Sequence, residues 1–464
     1  MNVAVISLFR EGFGGGSGQV AHDMARQFSR WHQVALICPA DRTREYTIQD
    51  GPRVLGIQSA GQGHACVPRL SRRNINTLFD FLDDFGPDVV HAHEPISLGL
   101  MGQVWAAMNN VPFVYTAHVL PSKSLDFGAA QVFEFLPQSW TKTMSKRMMG
   151  DFMRNCDAVI ALNQSAADDI QAFGHRGTVL TIPNGRDVDR LRACPIADRH
   201  SPVKTLVFVG LVSRRKNQAY LLEVMRRLPR QGYRLQLVGD VLEPDYGEQI
   251  TRWARDQGLD DVSFVGSVPH AEIPGYLERA HVFVSASKME VQSLSVIEAL
   301  ASGTPVIGLS NETIDELVDE RVGCALPQHA SPAAFAQRIQ ALCSLPQPQY
   351  AQLCRNARAR VAHLGWPQIQ QQTAAAYAQL AARRPRARSE AQIAKIIERI
   401  PSKQVQRILT ERLARLNETL RKTVQPHYRL GLISRMAYAN QISGKTWFYV
   451  GLTRVVSTFL GELN

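Results

Sequence analysis

Short apolar runs alternate with helical patterns through most of the chain, the arrangement that parallel α/β layers produce. Runs at Val3–Phe9, Gln33–Cys38, Asp88–His91, Phe113–Thr116, Ala158–Leu162 and Thr178–Ile182 predict strands, with helices over Ser17–Arg30 and Ile75–Phe85 between them. The pattern then restarts. Strands are expected at Thr205–Val209, Arg234–Val238, Val262–Val265, Val282–Ser285 and Pro305–Ile307, with helices near Ala219–Leu228, Tyr246–Gln257 and Ser293–Ala301. Two such series, joined near Leu191–Pro202, predict two Rossmann-like domains facing one another. Sheets of this kind bind ligands beyond the carboxyl ends of their strands, so the cleft between them is the expected site.

Trp366–Ala382 continues as a helical pattern, and from Arg383 the composition turns basic. Two apolar stripes follow: Ile393, Ile396, Ile397 and Ile400, then Val405, Ile408, Leu409, Leu413, Leu416 and Leu420. Beyond Pro426 come Tyr428, Tyr438, Trp447, Phe448, Tyr449 and Phe459. The formal charge of +11 is concentrated here: Pro385–Asn464 holds 14 Lys/Arg against 5 Asp/Glu, leaving only +2 for residues 1–384. Any electrostatic partner is therefore expected at the tail. Cationic faces with aromatics suit an anionic membrane surface; a helical hairpin packed on the core or on a second subunit suits the stripes equally. No motif points to nucleic acid. The seven cysteines are scattered, with no Cys-x-x-Cys pair, which argues for a reducing compartment and against a zinc site. The start, MNVAVISLF, reads as a first buried strand rather than a signal peptide, and no apolar run is long enough to span a bilayer.

Three loops carry candidate chemistry. In Gly12-Phe-Gly-Gly-Gly-Ser-Gly18, glycines admit close backbone approach, and the helix that follows offers free N–H groups to a phosphate. Its spacing is not a dinucleotide fingerprint, and alone it is weak evidence, with a tight turn that binds no ligand as the alternative. Gly210-Leu-Val-Ser-Arg-Arg-Lys216 places Arg214, Arg215 and Lys216 beyond the first strand of the second series, where cations would neutralise a diphosphate. The segment from Ser287 to Glu298 carries Glu290 in a loop and Glu298 on the next helix, with amides of Gln292, Ser293 and Leu294 at the helix amino terminus. Val296, Ile297 and Leu300 flank Glu298, and an acid in so apolar a stretch needs a partner. Asp187 and Asp189 lie in the turn after Pro183-Asn-Gly185 and are not expected to hold a metal, because the cationic loops already supply countercharge.

Over residues 1–384 these motifs, with Val90-His-Ala-His93 and Tyr115-Thr-Ala-His118, resemble the retaining glycosyltransferases of family 4, which have the α/β GT-B architecture. The resemblance implies a first domain over 1–195 facing the acceptor and a second over 196–365 holding the donor. A helix over 366–384 would cross back to the first domain, and a basic extension would occupy 385–464. Gly15 and Gly16 would approach the donor phosphates, His118 the transferred sugar, Lys216 the diphosphate and Val268 the base. Glu290 would contact sugar hydroxyls and Glu298 the ribose diol, with the amides of Gln292, Ser293 and Leu294 completing the phosphate site. His118, Glu290 and Lys216 would then be the catalytic group. Leu211 departs from the family's usual Arg; either Arg214 or Arg215 supplies that charge or donor binding is weakened, and Arg215, beside Lys216, is favoured.

The expected activity is metal-independent transfer of a hexose from a UDP- or GDP-sugar, with no further cofactor. The preferred acceptor is a membrane lipid, through similarity of His93–Gly102 to glycolipid-synthesising members, at the cytoplasmic face. Polysaccharide or polyprenyl-linked acceptors, and a non-catalytic sugar-nucleotide-binding module, are the alternatives.

Overall fold

The computed structural model describes residues 1–13, 15–61, 66–123, 138–193, 201–383 and 388–423. The first sheet holds β1 (Asn2–Ile6), β2 (Gln33–Ala40), β3 (Arg44–Thr47), β4 (Arg53–Ala60), β5 (Val67–Pro68), β6 (Val89–Ala92), β7 (Phe113–Thr116), β8 (Ala158–Ala161) and β9 (Thr178–Thr181). The second holds β10 (Lys204–Val209), β11 (Tyr233–Val238), β12 (Val262–Gly266), β13 (Val282–Ser285), β14 (Val306–Leu309) and β15 (Gly323–Leu326). Their orders are β3-β4-β2-β1-β6-β7-β8-β9 and β12-β11-β10-β13-β14-β15, parallel except where β3 and β5 run antiparallel to β4.

In each sheet the order reverses beside the first strand: β1 lies between β2 and β6, and β10 between β11 and β13. Such a switch point leaves a crevice at the strand ends, because the flanking connections leave in opposite directions. The glycine loop after β1 therefore neighbours the loop after β6. In the second sheet, the Arg/Lys loop after β10 neighbours the Glu290 loop after β13.

Differences from the sequence expectation lie at strand ends and sheet edges. The first strand stops at Ile6 rather than Phe9, because Ser7 turns the chain and its Oγ accepts from Phe9 N at 3.1 Å. Strand β3 has all four residues exposed, so it shows no apolar alternation. Strand β15 pairs only with β14, at the other sheet's edge.

The helix Trp366–Arg383 lies on the first domain, where Trp366, Ile369 and Tyr377 share a core with Val5, Phe28 and Val114. Two further helices, Glu390–Glu398 and Lys403–Thr423, join that domain too. Ile393, Ile396, Ile397, Ile400, Val405, Ile408, Leu409 and Leu413 are buried with Leu78, Trp105 and Phe113, and Leu416 packs on the same cluster. Ion pairs flank them: Arg388 with Asp157 at 3.4 Å, and Arg412 with Asp80 at 2.7 Å and Asp83 at 3.2 Å. The stripe residues from Ile393 to Leu416 are thus spent on the core and not on a membrane. The aromatics from Tyr428 to Phe459 lie outside the described residues, as does the side chain of Leu420. Among the described residues, no helix is long and apolar enough to cross a membrane.

Candidate active site

The second switch point brings Lys216 and Glu290 together although 74 positions separate them. Lys216 Nζ donates to Glu290 Oε1, and Arg215 Nη1 lies 3.3 Å from Glu290 Oε2 and donates to Met289 O at 2.9 Å. Burial alone would raise the Glu290 pKa, but the two cations outweigh it and hold the carboxyl below its ordinary value. Burial pulls Lys216 below its ordinary value; Glu290 opposes this, while Arg215 adds to it. The asymmetry follows from the count: the acid faces two cations, whereas the lysine faces one acid and one cation. Arg214 points elsewhere. Its side chain is 61% exposed, pairs with Glu243 at 3.5 Å and lies over the Tyr246 ring. Of the two candidates to replace the charge missing at Leu211, Arg215 is therefore the one beside Lys216 and Glu290.

Glu298 sits on the helix Leu294–Ser302, which Gly303 ends in a left-handed conformation with φ of 86°. The carboxylate is 4% exposed and does find partners: Arg186 Nε at 3.2 Å and His270 Nε2 at 3.0 Å. Arg186, directly after Pro183-Asn-Gly185, had no assigned role in the sequence, where an arginine after a turn reads as solvated. Asp187, in the same turn, caps the short helix Val188–Arg192 by accepting from Arg190 N at 3.2 Å. Val268 is half-buried and packs on the core cluster of the second domain that includes Ile273 and Leu277.

The two domains meet at the amino terminus of the Glu298 helix. A Cβ on Gly16 would lie 3.0 Å from Leu294 Cδ1, so the glycine-loop helix, Gly15–Phe28, packs closely on this terminus and a side chain at Gly16 would press on Leu294. Gln292 and Ser293 are already engaged in this arrangement. Gln292 Oε1 accepts from Asn184 N at 2.7 Å, and its Nε2 donates to Leu162 O at 3.1 Å. Ser293 N donates to Thr313 Oγ1 at 2.8 Å. The Gln292 side chain thus clasps the first domain, joined by Asn163, whose Nδ2 donates to Val291 O at 2.8 Å.

On the first-domain wall, His118 Nε2 and His93 Nδ1 are 2.9 Å apart, one donating to the other. His91 lies against His93 with ring centroids 4.4 Å apart and the rings tilted by 31°, and is held between Tyr377 Oη at 2.5 Å and Thr116 Oγ1 at 2.7 Å. Burial pushes His118 down to about 4 and His91 to about 3, while His93 falls well below the usual range for the same reason, helped by its two neighbours. All three are neutral at pH 7. An unfolded chain takes up these protons from about pH 6.5 downward, whereas the folded one resists until about 4 or 3. The unfolded state then binds more protons, so stability is expected to fall as pH drops through this window. Thermal melts at intervals from pH 7 to 4 should show the loss, and His91→Gln should make the slope shallower; an equal slope in both would refute the assignment. Glu94 acts oppositely: burial pushes its carboxyl up to about 8, against the amides of Gly99, Ile96 and Leu98.

The fold and this cleft define a two-domain α/β protein with a cation–carboxylate cluster at one switch point and a glycine-loop helix closing on it. Residues 14–190 match the family described as Glycosyltransferase Family 4, and residues 197–360 the one described as Glycosyl transferases group 1. The chain belongs to glycosyltransferase family 4, with the GT-B architecture.

The alpha-monoglucosyldiacylglycerol synthase of Streptococcus pneumoniae is 24% identical over 273 residues, covering 56% of this chain and 60% of the relative. This match therefore spans less than two thirds of that relative's length. The D-inositol 3-phosphate glycosyltransferase 1 of Catenulispora acidiphila is 28% identical over 356 residues, 73% of this chain and 79% of the relative. Among solved structures, Anabaena Alr3699/HepE in complex with UDP and glucose superposes with a TM-score of 0.64 at 19% identity, covering 82% of this chain and all of that one.

Proposed function

We propose that this chain is a retaining hexosyltransferase that moves a hexose from a UDP- or GDP-sugar to a hydroxyl of a membrane lipid. The observation that carries it is the Arg215–Lys216–Glu290 cluster at the second switch point, opposite the Gly16–Leu294 contact. Arg215 and Lys216 offer a preorganised cationic site for a diphosphate, in which charge grows as it departs. In this reading the bond from the anomeric carbon to the diphosphate oxygen breaks with its electron pair leaving on oxygen. The acceptor hydroxyl attacks the same face and gives its proton to the departing phosphate. Glu290 orients the two cations and the sugar hydroxyls, Glu298 holds the ribose diol, Val268 lines the base pocket, and His118 stands beside the sugar as a neutral ring. Gly15, Gly16 and the Leu294 amide approach the phosphates.

The lipid acceptor draws support from the diacylglycerol relative. Attachment to the membrane, at its cytoplasmic face, falls to surfaces other than the buried stripes. The inositol phosphate relative covers more of both chains and favours an acceptor presenting an inositol ring as the second reading.

The test is a transfer and donor-hydrolysis assay with UDP- and GDP-hexoses against diacylglycerol, phosphoinositide and inositol phosphate. Arg215→Ala is expected to weaken donor binding about ten- to a hundredfold, the worth of a charge-assisted contact. Arg214→Ala should leave it within about twofold, as for an exposed pair. Equal effects of the two, or no turnover of any donor, would refute the reading.

A further inference from the structure

Arg186 occupies the place where the chain passes between the domains twice. Its N donates to Leu364 O at 2.9 Å and its O accepts from Trp366 N at 3.2 Å, so the outgoing strand and the returning helix are stitched together at this residue. The side chain is 3% exposed and reaches both domains: Nη1 donates to Asp23 Oδ2 at 3.0 Å on the glycine-loop helix, and Nε lies 3.2 Å from Glu298 Oε1. Neither the buried Nη2 nor Nε has a hydrogen-bond partner among the described residues, so the approach of Nε to Glu298 Oε1 is an ion pair and not a hydrogen bond. A buried guanidinium with an unmet donor is costly unless some state of the protein supplies an acceptor.

Both contacts on Glu298, from Arg186 and His270, fall on Oε1; Oε2 carries none among the described residues. One oxygen is fixed and the other left over. A carboxylate only accepts and a guanidinium only donates, whereas a hydroxyl does both. A ribose hydroxyl can therefore donate to Oε2 of Glu298 and accept from Nη2 of Arg186, satisfying both leftover groups at once.

We propose that Arg186 is a positioning residue for the ribose of the nucleotide-sugar, clamping Glu298 with His270, and that Asp23 completes the clamp when the domains are closed. The proposal rests on the donor-site reading above and adds to it the group that reads the sugar of the nucleotide. Because Asp23 belongs to the first domain and Glu298 to the second, the clamp also links ribose recognition to closure.

The experiment is calorimetric titration of the full chain with UDP, GDP and their 2′-deoxy counterparts. The wild type is expected to bind one ribonucleotide at least about tenfold tighter than its deoxy form, the effect of leaving one buried polar group unpaired. Arg186→Met should collapse that ratio to within about twofold, and Arg186→Lys should restore part of it. His270→Ala removes the second contact at a side chain that is 54% exposed, where folding is not at stake, and should lower the ratio about threefold. Because the ratio is internal to each variant, a merely structural defect weakens both nucleotides and leaves it unchanged. A wild-type ratio in both Arg186→Met and His270→Ala would overturn the proposal while the donor-site reading stands. Failure of the wild type to bind either ribonucleotide would overturn both.

Discussion

A chain cut after Arg384 is expected to lose its first domain, not merely a tail. Eight aliphatic side chains from Ile393 to Leu413 enter the core that also holds Phe79, Trp105 and Phe113. Burying each contributes about 1.5–3 kcal/mol. Even discounted for a compact unfolded state, their sum rivals the roughly 5–15 kcal/mol by which a domain is stable at all. The truncated protein should express poorly or show only the second domain's melt, with the first-domain transition lost. Within the full chain, Ile397→Ala, at a site 2% exposed, should cost about 2–5 kcal/mol. Exposed Arg407→Glu should stay within about 0.5 kcal/mol. A truncated chain that melts like the full one would show that these helices are dispensable. The same physics governs any test of membrane attachment: deletion from residue 385 would confound lost binding with lost folding, and the informative cut lies after Thr423.

The tail shows where sequence periodicity stops being decisive. An apolar stripe with an Arg-rich reverse face has the same spacing whether it meets a bilayer or a protein core, since both bury apolar area. What separates the two is the partner surface, and the core that receives the stripes, with Leu78 and Trp105, comes from parts of the chain far from them in sequence. The parallel strands were legible because they are short and buried on both faces, giving unbroken apolar runs such as Phe113–Thr116 and Val282–Ser285. The exposed edge strand Arg44–Thr47 has no such run.

At the site, Lys216, Glu290 and Glu298 stood out as charged residues beside apolar strands, and the structure does bring the first two together. It could not be read that Glu298 already has Arg186 and His270 as partners, or that the Gln292 side chain is a clasp between domains. The His270 contact joins distant parts of the second domain, and the Arg186 and Gln292 contacts depend on how the domains close; no local pattern encodes either relation. Arg186 carries a clue only in hindsight, as a charge directly after a Pro-Asn-Gly turn that returns to the interior.

Lys216→Met and Glu290→Gln are expected to part company when a nucleoside diphosphate is titrated, although both break the same ion pair. Removing the lysine leaves Glu290, 8% exposed, with Arg215 as its remaining cation, and takes a cation from the proposed diphosphate site. Breaking a buried pair from one side costs about 3–5 kcal/mol, and the surviving Arg215 should hold the loss to the lower end. Affinity for UDP or GDP should fall about thirtyfold or more, because a buried cation contact to phosphate contributes at least about 2 kcal/mol. Removing the acid's charge instead takes away the carboxylate that Lys216 and Arg215 share. The fold should weaken, yet the diphosphate would replace the missing carboxylate, so its affinity should hold or rise while hexose transfer fails. The pH dependence adds a second readout. The depressed pKa of Glu290 means its pairing is fully present above about pH 4.5 and is lost as pH falls through its lower folded value. Glu290→Gln should remove that part of the acid sensitivity and leave the histidine part, at higher pH, untouched. If both variants weakened the nucleoside diphosphate equally, Glu290 would belong to the diphosphate site itself and not to the orientation of its cations.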